Sequence, residues 1–352
     1  MATPTSSADL PKGNAEIVQK HYNSIQEKGL DHRNQSRIVY LRNFNNWIKG
    51  MLIDQYLTVV KSKRKSAQEP IRVIDLCCGK GGDIFKWNKG EVSHVIGVDI
   101  ADQSIADAQK RYSDMKAKNQ RLFSAEFIVA DVTRTSIRTL FKDPSMKVDL
   151  VSCQFSLHYS FESLGQAEKM MENMSASLKV GGLLIGTMPN AYDIVGRLKQ
   201  SKTNWFGNSV FTIKFDEMPE PLPLFGAKYN FHLHEVVDCP EYLVHWPTLV
   251  RLAEQYGFRP ISHRRFQNYY EEKKKDGQPL LYQMSALEMY PPASGTKLLG
   301  PSEDYKHAKE YFREYPGHKF IGTLTMSEWE VCTLYMTFVF EKVRDWVPKP
   351  QQ

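Results

Sequence analysis

The run Val73-Ile74-Asp75-Leu76-Cys77-Cys78-Gly79-Lys80-Gly81-Gly82-Asp83 constrains this chain more than any other stretch. A β-branched apolar segment breaks into a glycine cluster and resumes as Ile84-Phe85-Lys86-Trp87, which reads as strand, tight turn and helix. Glycines in such a turn let backbone amides approach a nucleotide-like ligand, and the helix that follows presents its N-terminus to it. A dinucleotide fingerprint would need a third glycine where Ile84 stands and would not usually carry Asp75 before the turn. Both features point away from NAD.

The chain downstream repeats the same alternation. Val95-Ile96-Gly97-Val98-Asp99 is an apolar strand ending in an acid 24 residues beyond Asp75, the spacing at which doubly wound nucleotide sites accept from ribose hydroxyls. A helix over Gln103–Lys118 leads to a third strand, Phe127–Asp131, with Asp131 as its terminal acid. Asp131 meets an adenine edge on one reading and caps Val132-Thr133-Arg134 on the other. Val148–Phe155 is nearly all apolar, as expected of a strand between two neighbours, and runs into Ser156-Leu157-His158-Tyr159. A helix over residues 163–178, a turn at Gly181-Gly182 and a fifth strand at Leu183–Thr187 complete five βα units. The alternation predicts a parallel sheet with helices on both faces and a ligand at the carboxyl ends of its strands.

Before the motif, Ile38, Leu41, Phe44, Ile48, Met51 and Leu52 recur at helical steps and predict an amphipathic helix from Ser36 to about Val60. Asn45, Asn46 and Lys49 fall off its apolar stripe and near one another, either as a solvated face or as a polar group. Beyond the fifth strand, Phe206–Phe215 reads as one strand, followed by prolines at 219, 221 and 223 and a region dense in His, Tyr and Phe up to Trp246. This segment reads as an insertion over the site. Pro247–Tyr256 returns to helix, Tyr269–Lys275 reads as a charged exposed segment, and Ser327–Glu330 offers a capping signature. Val331–Phe340 closes the pattern as a long β-rich strand.

Composition narrows the class. No apolar run approaches membrane-spanning length, and Met1–Asn14 lacks the apolar centre of a secretory signal, so an intracellular protein is expected. Five dispersed cysteines without metal-ligand spacing predict reduced thiols, with neither disulfide nor zinc. Of the formal charge of +6, most lies in residues 1–70, where 11 Lys/Arg face 6 Asp/Glu. The cluster Lys61-Ser62-Lys63-Arg64-Lys65 reads as a solvated linker, an import signal or a phosphate contact.

The opening motif resembles the first motif of class I S-adenosylmethionine methyltransferases, hydrophobic-acid-Leu-x-Cys-Gly-x-Gly. Cys77 departs from it, standing where the class most often has its first glycine. An extended backbone accommodates cysteine there, whereas positive φ counts against the loop. Adding Phe44-Asn45-Asn46-Trp47-Ile48-Lys49, Asp99-Ile100-Ala101, Cys153-Gln154-Phe155, His158–Glu162, Phe225-Gly226, Lys228-Tyr229 and Pro240-Glu241-Tyr242-Leu243-Val244, the chain resembles the eukaryotic mRNA cap guanine-N7 methyltransferases from about residue 20 to 342.

The resemblance implies a Rossmann-like α/β fold: a mostly parallel seven-stranded sheet, helices on both faces and a C-terminal antiparallel strand. Length and composition predict one domain, over residues 21–345, before a tail of 346–352. The lead of residues 1–20 reads as disordered from its small, polar, Pro-containing start. The resemblance makes the insertion at about 205–246 a cap-site insertion. The cofactor is S-adenosyl-L-methionine, matched by Lys49, Cys77, Asp99, Asp131, Gln154 and Tyr159. The guanosine cap is matched by Asn45, Asn46, Lys80, Lys86, Arg111, His158, Glu241 and Tyr335. No general acid, general base or metal is implied. The implied partners are 5′-capped mRNA, a small activating subunit and the transcription or capping machinery, in the nucleus. The competing classes are a small-molecule methyltransferase and a non-catalytic cap-binding or RNA-binding scaffold.

Overall fold

The computed structural model of the chain describes residues 13–24, 34–217 and 219–346. Helices α1 (Ala15–Ser24) and α2 (Val39–Ser62) precede the alternating region. That region runs β1 (Arg72–Leu76), α3 (Ile84–Lys89), β2 (His94–Asp99), α4 (Asp102–Lys118), β3 (Ser124–Val129), β4 (Val148–Gln154), α5 (Leu164–Ala176) and β5 (Leu178–Pro189). After α6 (Ala191–Ser201) come β6 (Trp205–Gly207), β7 (Phe211–Lys214), β8 (Lys228–Leu233) and β9 (Val237–Tyr242). The chain closes through α7 (Trp246–Gln255), β10 (Phe258–Arg265), α8 (Phe266–Lys273), α9 (Gln278–Gln283), β11 (Glu288–Tyr290), α10 (Lys306–Glu314), β12 (Ile321–Thr323), α11 (Met326–Cys332) and β13 (Tyr335–Lys342).

Seven strands form one sheet in the order β10-β13-β5-β4-β1-β2-β3. Strands β1 to β5 pair in parallel, while β13 lies antiparallel to both β5 and β10. This is the class I methyltransferase arrangement, with its C-terminal antiparallel strand. Alternate residues of β1 bury on opposite faces: Val73 belongs to the buried cluster that holds Leu41, Ile48 and Leu52 of α2, and Ile74 to the one that holds Met170 and Met174 of α5. A sheet covered on both faces demands such continuous apolar strands. Strand order reverses between β1 and β4, where Leu76 lies opposite Cys153, and a crevice opens beyond those carboxyl ends.

The second half departs from the sequence reading in several places. Phe206–Phe215 is two strands, because the Asn208 side chain accepts from Val210 N at 2.8 Å and turns the chain. Strands β6 to β9 form a separate antiparallel sheet whose Phe211, Ile213 and Phe231 join the same core as α2. Gly181-Gly182 does not end an element: β5 begins at Leu178, and its register against β4 shifts between Val148 and Leu150. Gly181, at φ +81°, is accommodated as an irregularity within the strand. Tyr269 is not exposed; it is buried in α8 and donates to Gln55 Oε1 at 3.1 Å. The capping box is Thr325 with Glu328 rather than Ser327 with Glu330, and Val331 and Cys332 end α11 instead of opening the last strand.

Of the expected lead, residues 1–12 lie outside the described residues, whereas α1 starts within it at Ala15. Residues 347–352 of the expected tail also lie outside them. The Lys61–Lys65 cluster is tied to the fold: Lys61 pairs with Glu91 at 2.8 Å, Lys63 with Glu341 at 2.9 Å, and Arg64 donates to the Ala67 and Glu69 carbonyls.

Candidate active site

The turn after β1 is built around Asp99. Gly79 N donates to Asp99 Oδ2 at 2.8 Å, and Ala101 N donates to Oδ1 at 2.9 Å. Burial raises the Asp99 pKa above the usual carboxylate range, against the pull of these amides. Cys77 adopts φ +56°, the left-handed backbone that the sequence reading holds against this loop. The turn closes regardless, at a cost of about 1–2 kcal/mol for a residue with a Cβ. Gly81, at φ +70°, is required on a second count: a Cβ there would stand 2.5 Å from Ile84 Cδ1.

The crevice is a cavity lined by all six expected cofactor residues, Lys49, Cys77, Asp99, Asp131, Gln154 and Tyr159. Asp75, Asp83 and Glu162 also line it. Its chemistry fits S-adenosylmethionine. Asp99 offers acceptors to a ribose diol, the remaining acids suit a sulfonium and an ammonium, and Lys49 suits a carboxylate. Asp131 lies two residues past the end of β3, and Oδ1 accepts from Thr133 N at 2.9 Å, with Arg134 at 3.3 Å from Oδ2. It therefore caps the following turn and faces the cavity at once.

One wall was not legible as part of the site. Helix α1 contributes Ala15, Val18 and Tyr22 to the cavity, with Asn14 just before it. Asn14 N and Nδ2 donate to Glu162 Oε1 at 3.0 and 3.3 Å, and Nδ2 also donates to Tyr242 Oη. Gln19 Nε2 donates to the Ile100 carbonyl at 2.9 Å. The available signal was Val18 and Tyr22 four residues apart, too short a stripe to stand out.

At the other end, Asp83 joins two lysines. Its Oδ2 lies 2.9 Å from Lys49 Nζ and its Oδ1 2.7 Å from Lys86 Nζ, which also donates to Asn46 Oδ1. Burial acts to raise the Asp83 pKa, but the two cations outweigh it and hold the group down at about 2. Neighbouring Asp75 accepts from Trp87 Nε1 at 3.1 Å. Burial, reinforced by the Asp83 charge, pushes it up to about 7.

None of the eight expected cap residues lines the cofactor cavity. Three of them gather beside it. Glu241, on β9 and only 4% exposed, lies 3.2 Å from His158 Nε2 through Oε1, and Tyr335 is buried in the same region. Tyr229, which the sequence reading did not place in the site, donates to Glu241 Oε2 at 2.7 Å. Tyr159 Oη, which lines the cavity, reaches Glu241 Oε1 at 3.5 Å. His158 Nδ1 and Asn45 Oδ1 are buried without a hydrogen-bond partner. Tyr335 packs edge-on to Phe155 with ring centroids 5.2 Å apart. The three expected phosphate cations fall into two groups. Lys86 is held by Asp83, while Lys80 pairs with Asp107 at 2.8 Å and the Arg111 charge also acts on Asp107.

Residues 5–343 match the family model described as the mRNA (guanine-N(7))-methyltransferase domain. The chain is 44% identical over 339 residues to the mRNA cap guanine-N(7) methyltransferase of Drosophila melanogaster, a match covering 94% of this chain and 78% of that one. It is 38% identical to the enzyme of the same name from Caenorhabditis elegans, over 95% of this chain and 89% of that one. The Schizosaccharomyces pombe enzyme is 34% identical, over 94% and 83%.

Proposed function

The chain belongs to the mRNA (guanine-N7)-methyltransferase family, and on that premise we propose how its residues divide the work of methylating a cap guanosine. The enzyme transfers the methyl group of S-adenosyl-L-methionine to N7 of the terminal guanosine of 5′-capped mRNA. One observation carries the division of roles. Tyr159 lines the cofactor cavity and reaches the buried Glu241 carboxylate at 3.5 Å, so a base held by Glu241 would lie beside that cavity.

Asp99 takes the ribose hydroxyls, Lys49 the methionine carboxylate, and Gln154 and Asp131 the adenine end. Cys77 supplies backbone to the loop. Glu241 accepts from the Watson–Crick edge of guanine, which offers two hydrogens there, and such a pair discriminates by about 1–3 kcal/mol. His158 donates to the guanine carbonyl, and Tyr335 covers the base. Asn45 and Asn46 contribute amides to the cap, while Lys80, Lys86 and Arg111 meet its phosphates.

When bound, the cofactor supplies a methyl already activated by its sulfonium. Guanine N7 carries a free lone pair, so no side chain need remove a proton and none is assigned as acid or base. What the chain contributes is alignment of nitrogen, methyl and sulfur, an orientation effect worth roughly 7–11 kcal/mol. The acids around the cavity and Glu241 favour the positive charge that moves onto guanine.

A small-molecule methyltransferase has no use for a buried carboxylate satisfied by Tyr229 at the edge of the cavity, and a scaffold has no need of the Asp99 geometry. The nucleus and a partner from the capping or transcription machinery are proposed from the substrate alone, since Lys61, Lys63 and Arg64 are engaged within the fold. The test is incubation with S-adenosylmethionine and RNA bearing an unmethylated guanosine cap. The expected product nucleoside is 7-methylguanosine; methyl transfer to any other atom would overturn the assignment of roles.

A further inference from the structure

Helix α1 reaches beyond the cofactor. Tyr22 Oη lies 3.2 Å from Tyr159 Oη, deep inside the wall that α1 builds. Tyr159 Oη lies in turn 3.5 Å from Glu241 Oε1 and 3.4 Å from Cys239 Sγ. The Tyr159 ring is tilted against His158 with centroids 4.3 Å apart, and His158 faces the same Glu241 oxygen at 3.2 Å. The second carboxylate oxygen accepts from Tyr229 at 2.7 Å.

A phenol has one proton, so the direction of this chain matters. Glu241, as a carboxylate, can only accept. With the Tyr159 proton directed at Glu241, the Tyr159 oxygen is left as an acceptor for Tyr22, whose own proton then points at it, and for the Cys239 thiol, which can donate across the 3.4 Å contact. Burial keeps the Tyr22, Tyr159 and Tyr229 hydroxyls protonated, so each remains a donor at neutral pH. Hydrogen bonds in such a row polarise and strengthen one another.

We propose that Tyr22 is a positioning residue for guanine recognition: through Tyr159 it orients Glu241, making α1 a shared wall of the cofactor cavity and the cap site. The inference rests on the assignment of Glu241 to the guanine edge. It gives α1 a role in choosing the base as well as in enclosing the cofactor.

The experiment uses the full chain with guanosine-capped and inosine-capped RNA, measuring KM, kcat and S-adenosylmethionine affinity. Inosine lacks the exocyclic amine, so it offers Glu241 one hydrogen fewer. Tyr22→Phe keeps the ring in the cavity wall and removes only the hydroxyl. It should raise KM for guanosine-capped RNA about fivefold, the loss of one buried hydrogen bond, and narrow the guanosine-over-inosine preference. Cofactor affinity should fall by less than KM for capped RNA rises, because the ring stays in the cavity wall. In a Tyr159→Phe background the same change should add nothing, because its relay is gone. An unchanged base preference in Tyr22→Phe, or a full additive effect in the double variant, would overturn the proposal. Glu241→Gln separates the two levels: if it too leaves the base preference intact, the guanine-edge assignment fails, and the role of Tyr22 with it.

Discussion

The Lys49 ammonium lies 2.9 Å from Asp83 Oδ2, joining a helix that precedes the sheet to the end of the glycine turn. Both groups are largely buried, with 17% and 7% of their side chains exposed, so neither charge is well hydrated without the other. Asp83→Asn would leave Lys49 and Lys86 facing each other without the carboxylate that joins them. Breaking a pair of this kind by removing one partner costs about 3 kcal/mol or more. Urea unfolding should show a loss of that order, and cofactor affinity should fall as Lys49 loses its tether. A variant within about 0.5 kcal/mol of the parent would show that the pair contributes nothing.

Asp75 gives the enzyme a stability that depends on pH. The folded chain holds its proton up to about pH 7, whereas an unfolded aspartate releases it near pH 4. Between those values the native state binds more protons, so this contribution is full below about pH 4 and is lost as pH rises through about 7. Asp83 runs the other way: held at about 2, its contribution is present above about pH 4 and lost only as pH falls toward 2. Between about pH 5 and 8, then, only Asp75 of the two titrates. Asp75→Asn, which keeps an acceptor for Trp87, should flatten the decline of the urea midpoint across that range. A slope like that of the parent would place the proton elsewhere.

Arg111 stands near Asp107, which also holds Lys80, so the two cations share one acid. A triphosphate arriving there brings negative charge to two cations. Arg111→Ala should raise KM for capped RNA, and the defect should shrink for a cap analogue with fewer phosphates. Equal losses on both substrates would mark Arg111 as structural.

How much of this was legible follows from how far apart the interacting residues lie. The glycine turn, Asp99 and the β4 end came from local period and spacing, and the structure brings them to one crevice because a parallel sheet aligns its carboxyl ends. Asp83 was read only as the end of a motif, since its partner Lys49 lies 34 residues earlier. Helix α1 has ten residues and a single buried apolar one, Val18, too short a pattern to declare itself; its order comes from docking onto Ile100, Glu162 and Tyr242. Glu241 and Tyr335 come near one another from two different sheets, a proximity that no periodicity encodes. Only the motif resemblance connected them.

Glu241 bears the most specific test. A carboxylate just after Pro240 and before an apolar run would, as a purely structural group, be expected to face water. Instead it is buried, with Tyr229 donating to one oxygen and His158 and Tyr159 grouped around the other. Glu241→Gln keeps the size and leaves one oxygen for Tyr229, but it turns the other acceptor into a donor facing the guanine N–H groups. Transition-state binding should fall by about 1–3 kcal/mol, because a charge-assisted bond is lost and a buried donor is left unpaired. Affinity for S-adenosylmethionine should change far less, since Glu241 does not line the cofactor cavity itself. Parent-like activity on capped RNA would sink the guanine-edge assignment, whereas an equal loss of cofactor binding would locate the damage in the fold around Tyr159 and Tyr229 rather than in base recognition.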